Sequence, residues 1–222
     1  VIANGGAKPV LGMIGGAGTL GSGLAYRWAK AGFPILIGSR DAARARQAAA
    51  DLPVAPGLPA PQGASYADAA AAADVIVLTV PFAHQAALID DIKPELWGQL
   101  VLDTTVPLRP GRKDIVQLPE FGSAAVAAQR RLGSAARVLS AFHNVPAKRL
   151  RQDDAIDCDV LVFGDSTSDR EAAIRLVEAA GLRGIHGGPL ANSAAAEALA
   201  SVLIGINRHY SIGNAGVRIT GL

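Results

Sequence analysis

Three glycines in the run Gly15-Gly16-Ala17-Gly18-Thr19-Leu20-Gly21 have the spacing of a phosphate-binding turn. Each does separate physical work. Gly16 permits the tight turn, Gly18 lets the backbone approach a pyrophosphate, and Gly21 lets the following helix sit close to the preceding strand. Free N–H groups at the helix start, at the positive end of its dipole, then meet the anion. Ala17, Thr19 and Leu20 complete this loop against the ligand. The spacing alone is weak evidence, but its context is specific. An apolar, strand-like run from Pro9 to Ile14 precedes it, an amphipathic segment follows, and a second strand-like run lies at Pro34–Gly38.

The end of that second run selects the dinucleotide. A chain that prefers NAD places Asp or Glu there, to hold the ribose 2′-hydroxyl. Here the residues are Ile35-Leu36-Ile37-Gly38-Ser39-Arg40, with no acid at the strand end. Ser39 offers a hydroxyl, Arg40 a planar guanidinium, and Arg44 follows one helical turn later on the same face. Such a cluster matches a phosphomonoester on the 2′-oxygen, because arginine donates in a fork that fits phosphate oxygens. The reading is NADP(H). Asp41, which follows, suits the N-terminus of the next helix.

Three further strand ends carry residues suited to a ligand: Thr79-Val80-Pro81-Phe82-Ala83-His84, Thr104-Thr105-Val106-Pro107 and Phe142-His143-Asn144-Val145-Pro146. In each, a proline beside small or polar residues makes a stiff wall. His84 reads either as a solvated helix-start residue or as part of the cleft. His143 follows a strand whose end should face the nicotinamide, and it is the candidate catalytic residue. Lys148, Arg149 and Arg151 are a solvated charge run or a seat for an anionic substrate tail. The four histidines (84, 143, 186 and 209) lack metal-ligand spacing, so no metal is expected, and no nucleophile elbow is present.

These groups must be positioned by alternating strands and helices. Strands are expected at Val10–Ile14, Ile35–Ile37, Asp74–Thr79, Leu100–Asp103, Val138–Ala141 and Asp159–Phe163. Helices are expected at Leu20–Ala31, Ala42–Ala50, Tyr66–Ala72, Ala83–Asp90, Ser123–Arg131, Ser168–Ala180 and Asn192–Asn207. The alternation predicts an α/β fold with a doubly wound parallel sheet. Residues 1–152 form the dinucleotide-binding domain, and 153–222 a small C-terminal lobe with room for one strand–helix–strand–helix set. The proline-rich run 53–61 is a surface loop, and Leu108–Gly122 an excursion over the sheet edge. The segment Ala194–Ile206 is so apolar that it should be buried nearly all round, with a partner subunit as one cover.

Composition narrows the function classes. The chain is half apolar, 18% charged and carries a formal charge of +2, which argues for a packed globular protein and against a nucleic-acid binder. Its single cysteine, Cys158, excludes an internal disulfide and reads as a small buried strand residue. No run of about 18 uninterrupted apolar residues suggests a membrane span. The N-terminal run Val1–Gly6 reads as a trimmed or flexible end, not a signal peptide. A cytoplasmic protein is expected.

Taken together these residues resemble the F420-dependent NADP oxidoreductase family. The resemblance rests on the glycine loop with Ser22-Gly23-Leu24-Ala25, on Gly38-Ser39-Arg40 and on Val77-Leu78-Thr79-Val80-Pro81. Two later stretches are more specific: Val138-Leu139-Ser140-Ala141-Phe142-His143-Asn144-Val145-Pro146-Ala147 and Gly188-Pro189-Leu190-Ala191-Asn192-Ser193. The resemblance implies a Rossmann domain with a small C-terminal lobe, a homodimer, and a deazaflavin lying against the nicotinamide. Ser39, Arg40 and Arg44 would hold the 2′-phosphate. Thr79 to Pro81, His143, Val145, Pro146 and Asn192 would line the cleft that joins nicotinamide and deazaflavin. One departure is Ala17, where the family commonly has threonine, so a hydroxyl is missing from the phosphate cradle. The implied reaction is hydride transfer between NADP(H) and coenzyme F420. Reduction of another acceptor (a flavin, an imine or a carbonyl) and a non-catalytic NADP(H)-sensing role are the alternatives.

Overall fold

Runs of Val, Ile and Leu assemble into one sheet, in a computed structural model that describes residues 7–52, 54, 57 and 59–222. The expectations for Val1–Gly6, and for Pro53, Ala55, Pro56 and Leu58 of the proline-rich loop, lie outside the described residues. The order along the chain is β1 (Leu11–Ile14), α1 (Thr19–Lys30), β2 (Ile35–Gly38), α2 (Ala42–Ala50), β3 (Gln62–Ala64), α3 (Tyr66–Ala72), β4 (Val75–Leu78), α4 (Phe82–Ile92) and β5 (Leu100–Asp103). It continues with α5 (Ala124–Leu132), β6 (Arg137–Ser140), a 3-10 turn at Ala147–Arg151, β7 (Asp159–Phe163), α6 (Thr167–Ala179), β8 (Arg183–Gly188) and α7 (Ser193–His209). Four of the helices start on side-chain caps: Asp41, Ser65, Ser123 and Ser166 each accept from a backbone N–H of the first turn.

The strands lie in the order β3-β2-β1-β4-β5-β6-β7-β8. The first six have the doubly wound, dinucleotide-binding arrangement, whose order reverses between β1 and β4. Both faces are covered, so β1, β4 and β5 are buried along their whole lengths. Successive residues of β4 serve opposite cores: Val75 and Val77 pack with Leu11, Met13 and Trp28, whereas Ile76 and Leu78 pack with Ile14 and Val101.

Four sequence-based expectations change. The sheet is not parallel throughout, because β7 pairs with β6 antiparallel through Ser140 and Phe163. The connection between them contains the 3-10 turn rather than a crossover helix. Two strands were not located from the sequence. β3 is a three-residue piece in which Gly63 lies so close to α2 that a Cβ would sit 2.2 Å from the Arg46 nitrogen. β8, with three glycines and no continuous apolar run, is a half-buried edge. The boundary expected at 152/153 falls just after the 3-10 turn, and strands on both sides of it share the one sheet. The excursion at 108–122 meets α7, where Asp114 receives Arg208 at 2.6 Å.

The α7 expectation is the fourth correction. Ser193, Ala196, Glu197, Ala200, Ser201 and Leu203 are buried, but Val202 is 45% exposed and Ile204 and Ile206 only half-buried. Among the described residues α5, β7, the turn before α7 and the 108–122 segment pack on this helix, and part of its surface stays uncovered. The stretch Leu190–His209 is long and apolar enough, at a mean hydropathy of 1.3, to span a membrane by length and composition. In the fold, however, its central Glu197 is hydrogen-bonded to α5.

Candidate active site

At the point where the strand order reverses, a cavity of about 560 Å³ opens over the C-terminal ends of β1, β2 and β4. It is lined by Gly15, Ala17 and Gly18 from the first turn, and by Gly38, Ser39, Arg40, Asp41 and Arg44 after β2. Thr79, Val80 and Pro81 come from the end of β4, His84, Ala87, Leu88 and Asp91 from α4, and Tyr66 from α3. Nine residues assigned to a cofactor from sequence therefore share one wall: Ala17, Gly18, Ser39, Arg40, Arg44, Thr79, Val80, Pro81 and His84.

Gly16, Thr19, Leu20 and Gly21 do not line this cavity but shape its floor. The left-handed residue of the turn is Gly15, at φ +83°, one position before the one given that role from sequence. Gly16 is required for another reason, since a Cβ there would lie 2.9 Å from that of Met13. Gly21 brings α1 against the turn and β4: its Cβ would lie 2.8 Å from Gly16 Cα and 2.6 Å from Thr79 Oγ1. Gly18 differs. It is exposed, and a Cβ would meet nothing nearer than 3.8 Å, so the space before it is free for a ligand. It is also the N-cap of α1, and no side chain caps that helix. The first-turn amides are thus open to a pyrophosphate.

The charges beside β2 fit a 2′-phosphate. Arg40 and Arg44 are exposed, and no ion pair joins either to an acid among the described residues. Asp41 caps α2, with Oδ1 accepting from Ala43 N at 2.8 Å and Arg44 N at 3.2 Å. Ser39 Oγ accepts from Asp41 N at 3.2 Å, which leaves its hydrogen for a ligand. An anion here meets two guanidiniums and a hydroxyl.

His143, Val145 and Pro146, which follow β6, and Asn192, in the turn after β8, lie outside the lining of this cavity. Phe142 adopts a left-handed backbone, φ +67°, with its buried ring edge-on to Trp28 at 5.9 Å. This reverses the chain and turns His143 toward Phe163, 6.4 Å between ring centroids. Phe163 in turn lies so close to Gly187 that a Cβ there would sit 2.3 Å from the ring, and Asn192 donates to Gly187 O at 3.3 Å. Phe163 therefore connects the His143 stretch with the Asn192 stretch. His143 is 8% exposed, and burial pushes its imidazole pKa down to about 4, so the ring is neutral at ordinary pH. Val145 is half-buried and Pro146 buried.

The basic run near His143 is largely structural. Arg149 pairs with Asp154, and Arg151 lies over the Tyr26 ring at 5.9 Å and donates to Asp51 O. Cys158 is buried as expected, and burial raises its thiol pKa. Among the described residues no three His, Cys, Asp or Glu side chains gather as metal ligands.

Sequence reasoning missed a buried polar network behind the cavity wall. Asp103, at the end of β5, accepts from Gln85 Nε2 at 2.5 Å and from Thr105 N at 2.9 Å. Gln85 also donates to Ala124 O at 3.3 Å. Glu197 of α7 caps α5, accepting from Ala124 N at 2.7 Å, Ala125 N at 3.2 Å and Ser123 Oγ at 2.8 Å. Burial lifts the Asp103 carboxyl pKa to about 7 and raises that of Glu197. The available signal was an acid inside each of two apolar runs.

Residues 10–107 match the family model described as NADP oxidoreductase, coenzyme F420-dependent. The chain is 39% identical over 218 residues to an F420-dependent NADP reductase of Methanothermobacter thermautotrophicus, covering 95% of this chain and 94% of the relative. It is 36% identical to one of Methanocaldococcus jannaschii, covering 95% and 97%. The fold matches a solved structure from Arthrobacter sp. FB24 with a TM-score of 0.76 at 24% identity, over 95% and 97% of the two chains. It also matches an imine reductase of Myxococcus stipitatus with a TM-score of 0.65 at 21% identity, over 92% of this chain and 62% of that one. With its open phosphate turn and paired arginines, and with these relatives matched over nearly their full length, the chain belongs to the family of coenzyme F420-dependent NADP oxidoreductases.

Proposed function

We propose that this protein transfers hydride between NADP(H) and coenzyme F420, and that it does so as a cytoplasmic homodimer. The observation that carries the cofactor half is the wall shared by Gly18, Ser39, Arg40 and Arg44, where Asp41 Oδ1 is engaged in capping α2. When bound, the two cofactors supply the reacting carbons themselves, nicotinamide C4 and deazaflavin C5. The chain's own task is to hold the rings in contact and keep water out. The uncapped start of α1 holds the pyrophosphate, Arg40 and Arg44 hold the 2′-phosphate, and Thr79, Val80, Pro81 and His84 flank the dinucleotide. Val145, Pro146 and Asn192 form the deazaflavin side with His143, which serves as a neutral hydrogen-bonding group rather than a proton source. The family relatives named as F420-dependent reductases support the acceptor half. Mixing protein, NADPH and F420 is expected to bleach the oxidised deazaflavin band. A band that persists while FMN or a cyclic imine is reduced gives the acceptor to another class. NADPH that binds tightly with nothing reduced makes the protein a sensor.

A further inference from the structure

Two buried polar side-chain atoms lack a partner at the end of β6: His143 Nδ1 and Asn144 Oδ1. β6 runs parallel to β5, with Ser140 beside Asp103, so these atoms lie at the C-terminal edge where such sheets take ligands. Buried polar groups are rarely left unpaired, and a group of them at a ligand-binding edge points to a polar ligand.

The bonding of His143 can be worked out by counting hydrogens. Ser140 is fully buried, and its Oγ lies 2.9 Å from His143 Nε2, its one side-chain hydrogen-bond partner among the described residues. A buried hydroxyl needs an acceptor for its hydrogen, and Nε2 is the acceptor present. The imidazole is neutral, since burial holds its pKa near 4. With Nε2 accepting, its single hydrogen sits on Nδ1, the atom without a partner. Phe142, the residue before it, has a left-handed backbone and packs edge-on to Trp28, and the His143 ring lies 6.4 Å from that of Phe163.

We infer that Ser140 is a positioning residue: by donating to Nε2 it holds His143 in the tautomer whose Nδ1–H binds an acceptor atom, a ring carbonyl or ring nitrogen, of the deazaflavin. The identity of that ligand rests on the functional reading above; the tautomer does not.

The test uses the intact protein labelled with nitrogen-15. Long-range proton–nitrogen correlations of the free protein should show His143 protonated on Nδ1 alone, and F420 should shift that signal. Ser140→Ala should move the hydrogen toward Nε2 and raise the F420 KM roughly three- to tenfold, as loss of one neutral hydrogen bond does. The NADPH dissociation constant should stay within about twofold, and Ser140→Thr should restore the tautomer. A wild-type His143 protonated on Nε2 overturns the inference without any variant. F420 that is reduced while the Nδ1 signal stays in place overturns the contact and leaves the functional reading standing. F420 that neither binds nor turns over removes that reading and the contact together.

Discussion

The 2′-phosphate assignment comes down to one residue, Arg40. Its guanidinium stands at the cavity wall beside Ser39 and Arg44, while the nearby carboxylate of Asp41 is occupied with α2. Arg40→Ala should weaken NADPH binding roughly ten- to a hundredfold, on the order of 1.5–3 kcal/mol for one charge-assisted contact. NADH binding should barely change, because NADH has no group for Arg40 to meet. Titration of both cofactors against wild type and variant checks this, and equal weakening of the two would refute the assignment. Ala17 acts in the same cradle with opposite sign. It supplies no hydroxyl, and we propose that the backbone at Gly18 and the arginines carry the phosphate contacts.

Packing between elements produces a pH dependence that no single element carries. Asp103 on β5 is tied to α4 through Gln85, and Gln85 reaches α5, whose start is capped by Glu197 from α7. Asp103 titrates near 7 in the fold, against about 3.9 when unfolded. Between those values the native state holds more protons, so this group's contribution is complete below about pH 4 and is lost as pH rises through 7. Glu197, also raised, has the same sign. His143 runs the other way: its pKa of about 4 lies below the unfolded 6.5, so stability rises with pH across that window. The two slopes oppose each other between about pH 4 and 6.5. Asp103→Asn should leave the His143 slope uncovered, so that the urea midpoint climbs with pH in that window more steeply than in wild type. Midpoints taken at intervals between about pH 4 and 8 test it. An unchanged slope would mean that Asp103 titrates like a solvated acid.

The molecule as a whole exposes one apolar face that a single chain leaves open. Leu199, Ile204 and Ile206 on α7 are half-buried, Val202 is 45% exposed, and Tyr210 and Ile212 beyond the helix are 68% and 45% exposed. Glu197 points inward and is bonded to α5, whereas Val202 on the same helix is exposed. A second copy is the cover we propose. Sedimentation at micromolar concentration should give twice the chain mass, and Val202→Asp should shift the population to monomer with the α/β circular dichroism signal intact. A wild-type protein that sediments as one chain would leave this face to solvent.

Local pattern fixed much of this protein before any tertiary contact was known. The place of the glycine loop, the missing acid at Gly38, Asp41 at the start of α2, and the buried runs at Leu11, Val75 and Leu100 are short-range signals, and each appears in the structure as read. What depended on distant partners was not legible. Gly63 makes a strand only because α2 lies against it, and β7 turns antiparallel because of how its connection returns to the sheet. The left-handed turn fell on Gly15, next to Val80, where a Cβ would lie 2.4 Å from Cγ1. Ser140 looked like any strand serine until its hydroxyl was found against His143, and Asp103 and Glu197 like ordinary acids until burial raised their pKa values. Periodicity and spacing encode which face of an element is buried. Which partner arrives at that face, and what it does to a proton there, is decided only when the chain folds back on itself.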